Sequence, residues 1–164
     1  MQVVGVKGFA ELQEALDKVT PKIEANIMRG ALRAGAVLIQ KEAKVGAPKK
    51  TGTLAAGIKV STANRYGRVS ATVKTTGKHA YLAPWLEHGT AAHNIQPKKK
   101  KFLSFGGIVM SGVMHPGIKG KPFMRPAMDN QAGPALVAVG EYIKRRLDKE
   151  GIDSARSIQI EVEE

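Results

Sequence analysis

The stretch that decides the fold is PKIEANIMRGALRAGAVLIQKEAKVGA, residues 21–47. Ile23, Ile27, Ala31, Ala34 and Leu38 recur at helical spacing, and Met28, Leu32, Gly35 and Ile39 widen that stripe. Thr20-Pro21 predicts the start, with a hydroxyl N-cap followed by proline at the first helical position. Ala47-Pro48 predicts the end. Small residues crowd the middle: Gly30, Ala31, Ala34, Gly35 and Ala36. An interior glycine costs a helix about 1 kcal/mol relative to alanine. The offsetting gain expected here is close backbone approach to a sheet or a neighbouring helix.

Before this helix, QVVGV (2–6) reads as a short strand. Gly8 then opens FAELQEALDKV, with Phe9, Leu12, Leu16 and Val19 at helical spacing. After it the chain reads as β. Leu54–Thr62 and Arg68–Thr75 alternate, with Val69, Ala71 and Val73 on one face and a turn at Asn64–Gly67 between them. A third strand is expected over Ala80–Glu87, bent or placed at an edge by Pro84. KFLSF, Gly106-Gly107 and IVMSGVM form a hairpin signal, because two glycines permit the positive φ angles of a tight turn. HPGIKGKPFMRPA from His115 reads as a loop. Pro126 opens a long helix to about Lys149, which Gly133-Pro134 should kink or divide. SIQIEVEE reads as a final strand or an acidic tail.

The fold class that follows is α+β. Long N-terminal and C-terminal helices pack on a small antiparallel β-sheet, and a hairpin protrudes. The expected organisation is one domain over residues 1–164, with a lysine-rich loop at 91–101, the hairpin at 102–114 and an acidic tail at 152–164. A chain of this length removes roughly 70% of its unfolded surface from water.

Composition narrows the chemistry. There is no cysteine, which excludes disulfides, thiolate zinc sites and cysteine nucleophiles. MQVVGVKGFAELQE reaches a charge by residue 7 and has no extended apolar core, so no signal peptide or membrane span is expected. The net charge is +12, and residues 51–130 hold twelve Lys/Arg against two Asp/Glu. Between Glu42 and Asp129 the only carboxylate is Glu87. Such a field favours a polyanion or an acidic protein surface as partner.

The reactive-looking cluster in PWLEHGTAAHNIQPKKKKFL (84–103) offers Glu87, His88 and His93. On an extended strand Glu87 and His88 point to opposite faces, and the histidine spacing fits no familiar zinc pattern. His115 could come near in space, but nothing in the sequence requires it. Glu87 lacks a nearby carboxylate for paired acid–base work and reads as an ion-pair partner, with Arg125 one choice. Ser104 and Ser111 do not stand in a nucleophile elbow, and GIKGKP lacks phosphate-loop spacing. No catalytic residue, metal site or cofactor is expected. Lys98, Lys99, Lys100 and Lys101 remain as a contact for phosphates or for an acidic protein, with Phe102 and Phe105 expected in a core or interface.

Three stretches taken together carry a resemblance. They are Lys50-Thr51-Gly52-Thr53-Leu54, Tyr81 through Glu87-His88-Gly89-Thr90, and His115-Pro116-Gly117 leading to Lys121-Pro122-Phe123-Met124-Arg125-Pro126-Ala127. In this order, between two long helices, they resemble the neck or tail-completion family of tailed bacteriophages. The resemblance implies a non-enzymatic virion protein of the head–tail junction, assembled in the host cytoplasm into a homo-oligomeric ring, hexamer or dodecamer. Its implied partners are head-side connector or closure proteins and tail-side terminator or tube proteins, with DNA passing through the lumen without sequence-specific contact and no membrane involved. Thr51-Gly52 would turn the first long helix into the sheet, Gly89 would permit a turn, and Phe123 would anchor the last helix with Pro126 in its first turn. The lysine loop and the hairpin residues Phe102, Phe105, Ile108 and Met110 are the expected partner or subunit contacts. The rival reading is a basic protein that binds nucleic acid without sequence preference.

Overall fold

The computed structural model describes residues 7–98, 101–150 and 158–162. The predicted strand at residues 2–6, Lys99, Lys100 and most of the acidic tail lie outside the described residues. The described chain separates into two compact units, one of residues up to Ala80 together with those from Phe123, the other Tyr81–Pro122.

In the first unit, helix α1 (Phe9–Leu16) precedes the long α2 (Pro21–Gly46), a short α3 (Thr53–Ala56), strands β1 (Ile58–Arg65) and β2 (Arg68–Thr75), and finally α5 (Met124–Lys149). The core lies where α1, α2 and α5 meet: Leu12, Leu16, Ile27, Ala31, Val139, Ile143 and Leu147, closed by Ile158 and Ile160. The small residues of α2 are used as the sequence implied, and the neighbour is a helix. A Cβ on Gly35 would lie 2.7 Å from the Ala135 carbonyl oxygen and 2.9 Å from Val139 Cγ2, so α5 approaches where α2 has no side chain. Gly30 makes room in the same way for the Tyr142 ring. The buried stripe is rotated from the one expected. Ile27, Ala31, Gly35, Ala36 and Ala43 are buried, while Ala34 and Leu38 are half-exposed, because the glycine side of the helix faces α5.

Strands β1 and β2 pair antiparallel over their full length, from Ile58↔Thr75 to Arg65↔Arg68. The two-residue turn puts Tyr66 at φ 52° and Gly67 at φ 77°, positive at both central positions as a tight hairpin of this twist demands. The sheet is fixed to its neighbours by polar bonds at its base. Gln40 on α2 donates from Nε2 to the Ile58 carbonyl at 2.7 Å, and Thr76 donates from N–H at 2.8 Å and from its hydroxyl at 2.9 Å to the Gly57 carbonyl.

Four local expectations change. Thr20 precedes Pro21 as expected but makes no side-chain capping bond. The strand expected from Leu54 begins at Ile58, because Gly52 at φ 72° starts a helical turn whose Leu54 is buried. The strand expected over Ala80–Glu87 is instead helix α4 (Leu82–His88). That segment contains no β-branched residue, and the fixed φ of Pro84 suits the first turn of a helix. Gly133-Pro134 does not divide α5, which runs unbroken across it with Ala127, Ala135 and Val139 buried on either side.

The second unit holds α4 and a long two-stranded arm. Outgoing strands β3 (Gly89–Thr90), β4 (His93–Ile95) and β5 (Leu103–Phe105) pair in reverse order with β6 (Ile108–Met110), β7 (Val113–His115) and β8 (Ile118–Lys119). Strand β8 lies in what the sequence presented as a loop. The Gly106-Gly107 turn falls where the sequence placed it, with φ 58° and 83°. Register shows where the lysine run sits. Between Ile95↔Val113 and Leu103↔Met110, the outgoing limb has seven residues and the return limb two, and the lysine run falls in sequence within the longer limb.

Gly35→Ala should destabilise the chain by about 1–3 kcal/mol through overpacking against α5, although alanine is the better helix former. Urea unfolding monitored by circular dichroism measures this, and a stabilised variant would contradict the close approach.

Candidate functional site: an exposed apolar arm

The arm has almost no interior. Among the described residues of Tyr81–Pro122, Ala83 is the only one buried. The tip instead presents large apolar side chains to water, with Phe105 84% exposed, Val109 64% and Ile108 63%, and Met114 on β7 is 67% exposed. Phe102 is also exposed, whereas Met110 is half-buried. The two phenylalanines are therefore outside the core. Isolated two-stranded hairpins are marginally stable in water, and contiguous exposed apolar surface marks an interaction site. The β5–β6 ladder has two strands, so each strand's outer edge carries backbone groups not paired in a sheet.

The base of the arm is built more tightly. Gly89 has φ 78° and ψ −174°, a conformation essentially confined to glycine. A Cβ there would lie 2.5 Å from the Ile118 carbonyl oxygen. Thr90 Oγ1 accepts from the Ile118 N–H at 3.1 Å, and Lys121 N–H donates to the Leu86 carbonyl at 2.6 Å, tying the return limb to α4. Glu87-His88-Gly89-Thr90 thus closes a helix and opens a strand.

The remaining family-motif residues fall as follows. Thr51 is exposed with its hydroxyl 3.0 Å from that of Thr53, and Gly52 turns the chain out of α2 through α3 into the hairpin. Phe123 is 2% exposed and precedes α5, in whose first turn Pro126 lies. Pro122, Arg125, Lys98 and Lys101 are exposed, and Glu87 is half-buried.

Two contacts had no sequence signal strong enough to predict them. His93 and His115 pair across β4–β7 with ring centroids 5.1 Å apart, stacked at 26°. His115 Nδ1 accepts from the Gly117 N–H at 3.0 Å, and His93 Nδ1, 3.0 Å from the Ala91 carbonyl, is the donor to it. These bonds occupy one nitrogen of each ring inside the arm. Residues equally spaced from a double-glycine turn were the available clue, but the lysine insertion hides that symmetry. The second contact is Tyr81–Trp85, an edge-to-face pair at 5.5 Å on the exposed side of α4, four residues apart. Aromatic residues of this kind dominate interface energies once a partner covers them.

The first unit adds a second apolar surface. An open groove of about 240 Å³ runs between α2 and α5 beside β2, lined by Leu32, Ile39, Met128 and Leu136 among others. Among the described residues no helix is long and apolar enough to cross a membrane.

Residues 10–89, from within α1 to the junction of α4 and β3, match a family model described as "Bacteriophage HK97-gp10, putative tail-component". The match is consistent with the neck and tail-completion resemblance carried by the sequence motifs. No curated protein and no solved structure matches the chain.

Gly89→Ala should strain the base of the arm by about 1–3 kcal/mol. Amide exchange should then quicken at Ile118 and Lys119 while the amides of α2 and α5 keep their protection; uniform loss across both units would count against a local role.

Proposed function

We propose that the protein is a non-enzymatic structural component of the phage virion at the head–tail junction, assembling as a homo-oligomeric ring between head connector and tail. The observation that carries this reading is the apolar arm. A chain whose hairpin has no core and exposes Phe105, Ile108 and Val109 is suited to being covered by another subunit. The match to a tail-component family over residues 10–89 supports the virion setting.

The arm and the groove between α2 and α5 are different surfaces of one chain. A contact between unlike patches is heterologous, and such contacts close into rings when the rotation per subunit permits. Strand addition at the free edges of β5 and β6 would supply backbone hydrogen bonds, and the apolar side chains would supply burial. In this reading the lysine run Lys98–Lys101 meets acidic surfaces on the adjoining head-side and tail-side proteins. The rival reading, nonspecific nucleic-acid binding as the main role, leaves the exposed tip without a purpose.

The test is a double substitution, Phe105→Asp with Ile108→Asp, compared with charge reversal at Lys98–Lys101. Phe105, Ile108, Lys98 and Lys101 are exposed, so the thermal midpoint of the isolated subunit should stay within about 2 °C of the parent. The tip variant should fail to form rings by light scattering and electron microscopy. Both variants should leave heads and tails unjoined in complementation. Normal rings and infectious particles from the tip variant would falsify the proposal.

A further inference from the structure

The outer face of the β1–β2 hairpin belongs to neither the arm nor the groove. Strand alternation and register together decide its composition. On β2, Val69, Ala71 and Val73 are half-buried while Arg68, Ser70, Thr72 and Lys74 are exposed, and the register puts Val60, Thr62 and Asn64 of β1 on the Val69 face. The opposite face is then assembled from four cross-strand pairs: Lys59↔Lys74, Ser61↔Thr72, Ala63↔Ser70 and Arg65↔Arg68. A pair of cations stands at each end, with three hydroxyls between them. All four cations are exposed, and among the described residues none of them makes an ion pair with a carboxylate.

This arrangement runs against the stability of the hairpin. Like charges directly opposite each other on adjacent strands repel, and a sheet face selected for folding alone would set Glu or Asp against Lys. Here the repulsion occurs twice, in a region where the only carboxylate between Glu42 and Asp129 is Glu87. Lys and Arg side chains donate hydrogen bonds without accepting any, and hydroxyls donate readily to an anion. The face offers no large apolar anchor of the sort that dominates protein–protein interfaces. It also offers no aromatic platform for unstacked bases and no Asn or Gln for reading base edges. What fits it is a row of phosphates on a duplex.

We infer that the outer face of the β1–β2 hairpin is a docking surface for the phosphodiester backbone of duplex nucleic acid, held through Lys59, Arg65, Arg68 and Lys74 without sequence readout. The inference does not depend on ring assembly, since this face is complete within one chain. Binding is weak and strongly dependent on salt. Four phosphate contacts correspond to a slope of about −3.6 in log K against log salt, or roughly a hundredfold loss of affinity for a fourfold rise in salt.

The experiment uses the full chain and a fluorescent random-sequence DNA duplex, titrated by anisotropy at several salt concentrations. Neutralising the face with Lys59→Gln, Arg65→Gln, Arg68→Gln and Lys74→Gln should reduce the magnitude of the salt slope by about 3–4. A second variant, Lys74→Glu, sets an acid opposite Lys59. It should raise the thermal midpoint by roughly 1–4 °C while weakening DNA binding several-fold. A more stable protein that binds less DNA separates ligand contact from folding. The inference is overturned if the neutralised chain keeps its affinity and slope. It is equally overturned if only Lys98–Lys101 substitutions reduce binding, or if polyglutamate displaces the duplex at equal charge concentration, which would assign the face to an acidic protein.

Discussion

The structure depends on how closely the backbones of α2 and α5 approach. At Gly35 the Ala135 carbonyl occupies the space a side chain would need, and at Gly30 the Tyr142 ring does the same. Interior glycines lower helix propensity, so α2 is a poor helix taken alone and depends on packing for its stability. Its partner is compromised as well: Pro134 removes a backbone donor within α5. Two locally weak helices hold each other because their contact is tight and apolar, with Ile27, Ala31, Val139 and Ile143 in one cluster with α1. The hairpin β1–β2 then packs on α2 and is pinned through Gln40.

The second unit works on the opposite principle. Apart from Ala83, its described residues are exposed or half-exposed, and its order comes from ladder hydrogen bonds and from the fixed geometry around Gly89. A chain that invests one region with a dense core and leaves another as a bare apolar ribbon divides folding from association. The first unit holds the core; the ribbon, under the proposed ring assembly, is the part that joins subunits. The same division applies to charge, since the cations gather in the middle of the chain and the cross-strand pairs of β1 and β2 accept repulsion without a neighbouring acid.

Much of this was legible in the residues, and the failures have physical reasons. The long helices, the turn at Tyr66-Gly67 and the turn at Gly106-Gly107 could be read because glycine and proline declare backbone geometry locally. The helical stripe on α2 was right in period and wrong in phase, because alanine and leucine at neighbouring positions satisfy either face until the partner helix is known. The segment around Pro84 was misread because short apolar runs do not distinguish strand from helix. At the candidate site, the protruding hairpin was visible, but core and interface were not distinguished for its phenylalanines: Phe105 in an alternating strand looks the same whether it enters a core or faces water. The His93–His115 contact was hidden by the lysine insertion, which breaks the symmetric spacing that would have revealed it.

That insertion has an evolutionary corollary. The ladders on either side of it count their residues from different origins, one from the base of the arm and one from the double-glycine turn. Chain added or deleted at residues 96–102 is therefore invisible to both registers. A lineage facing a new neighbouring protein can rewrite length and charge there by simple indels while every strand keeps its mate, which makes this point the natural place for a peptide tag or a crosslinking handle.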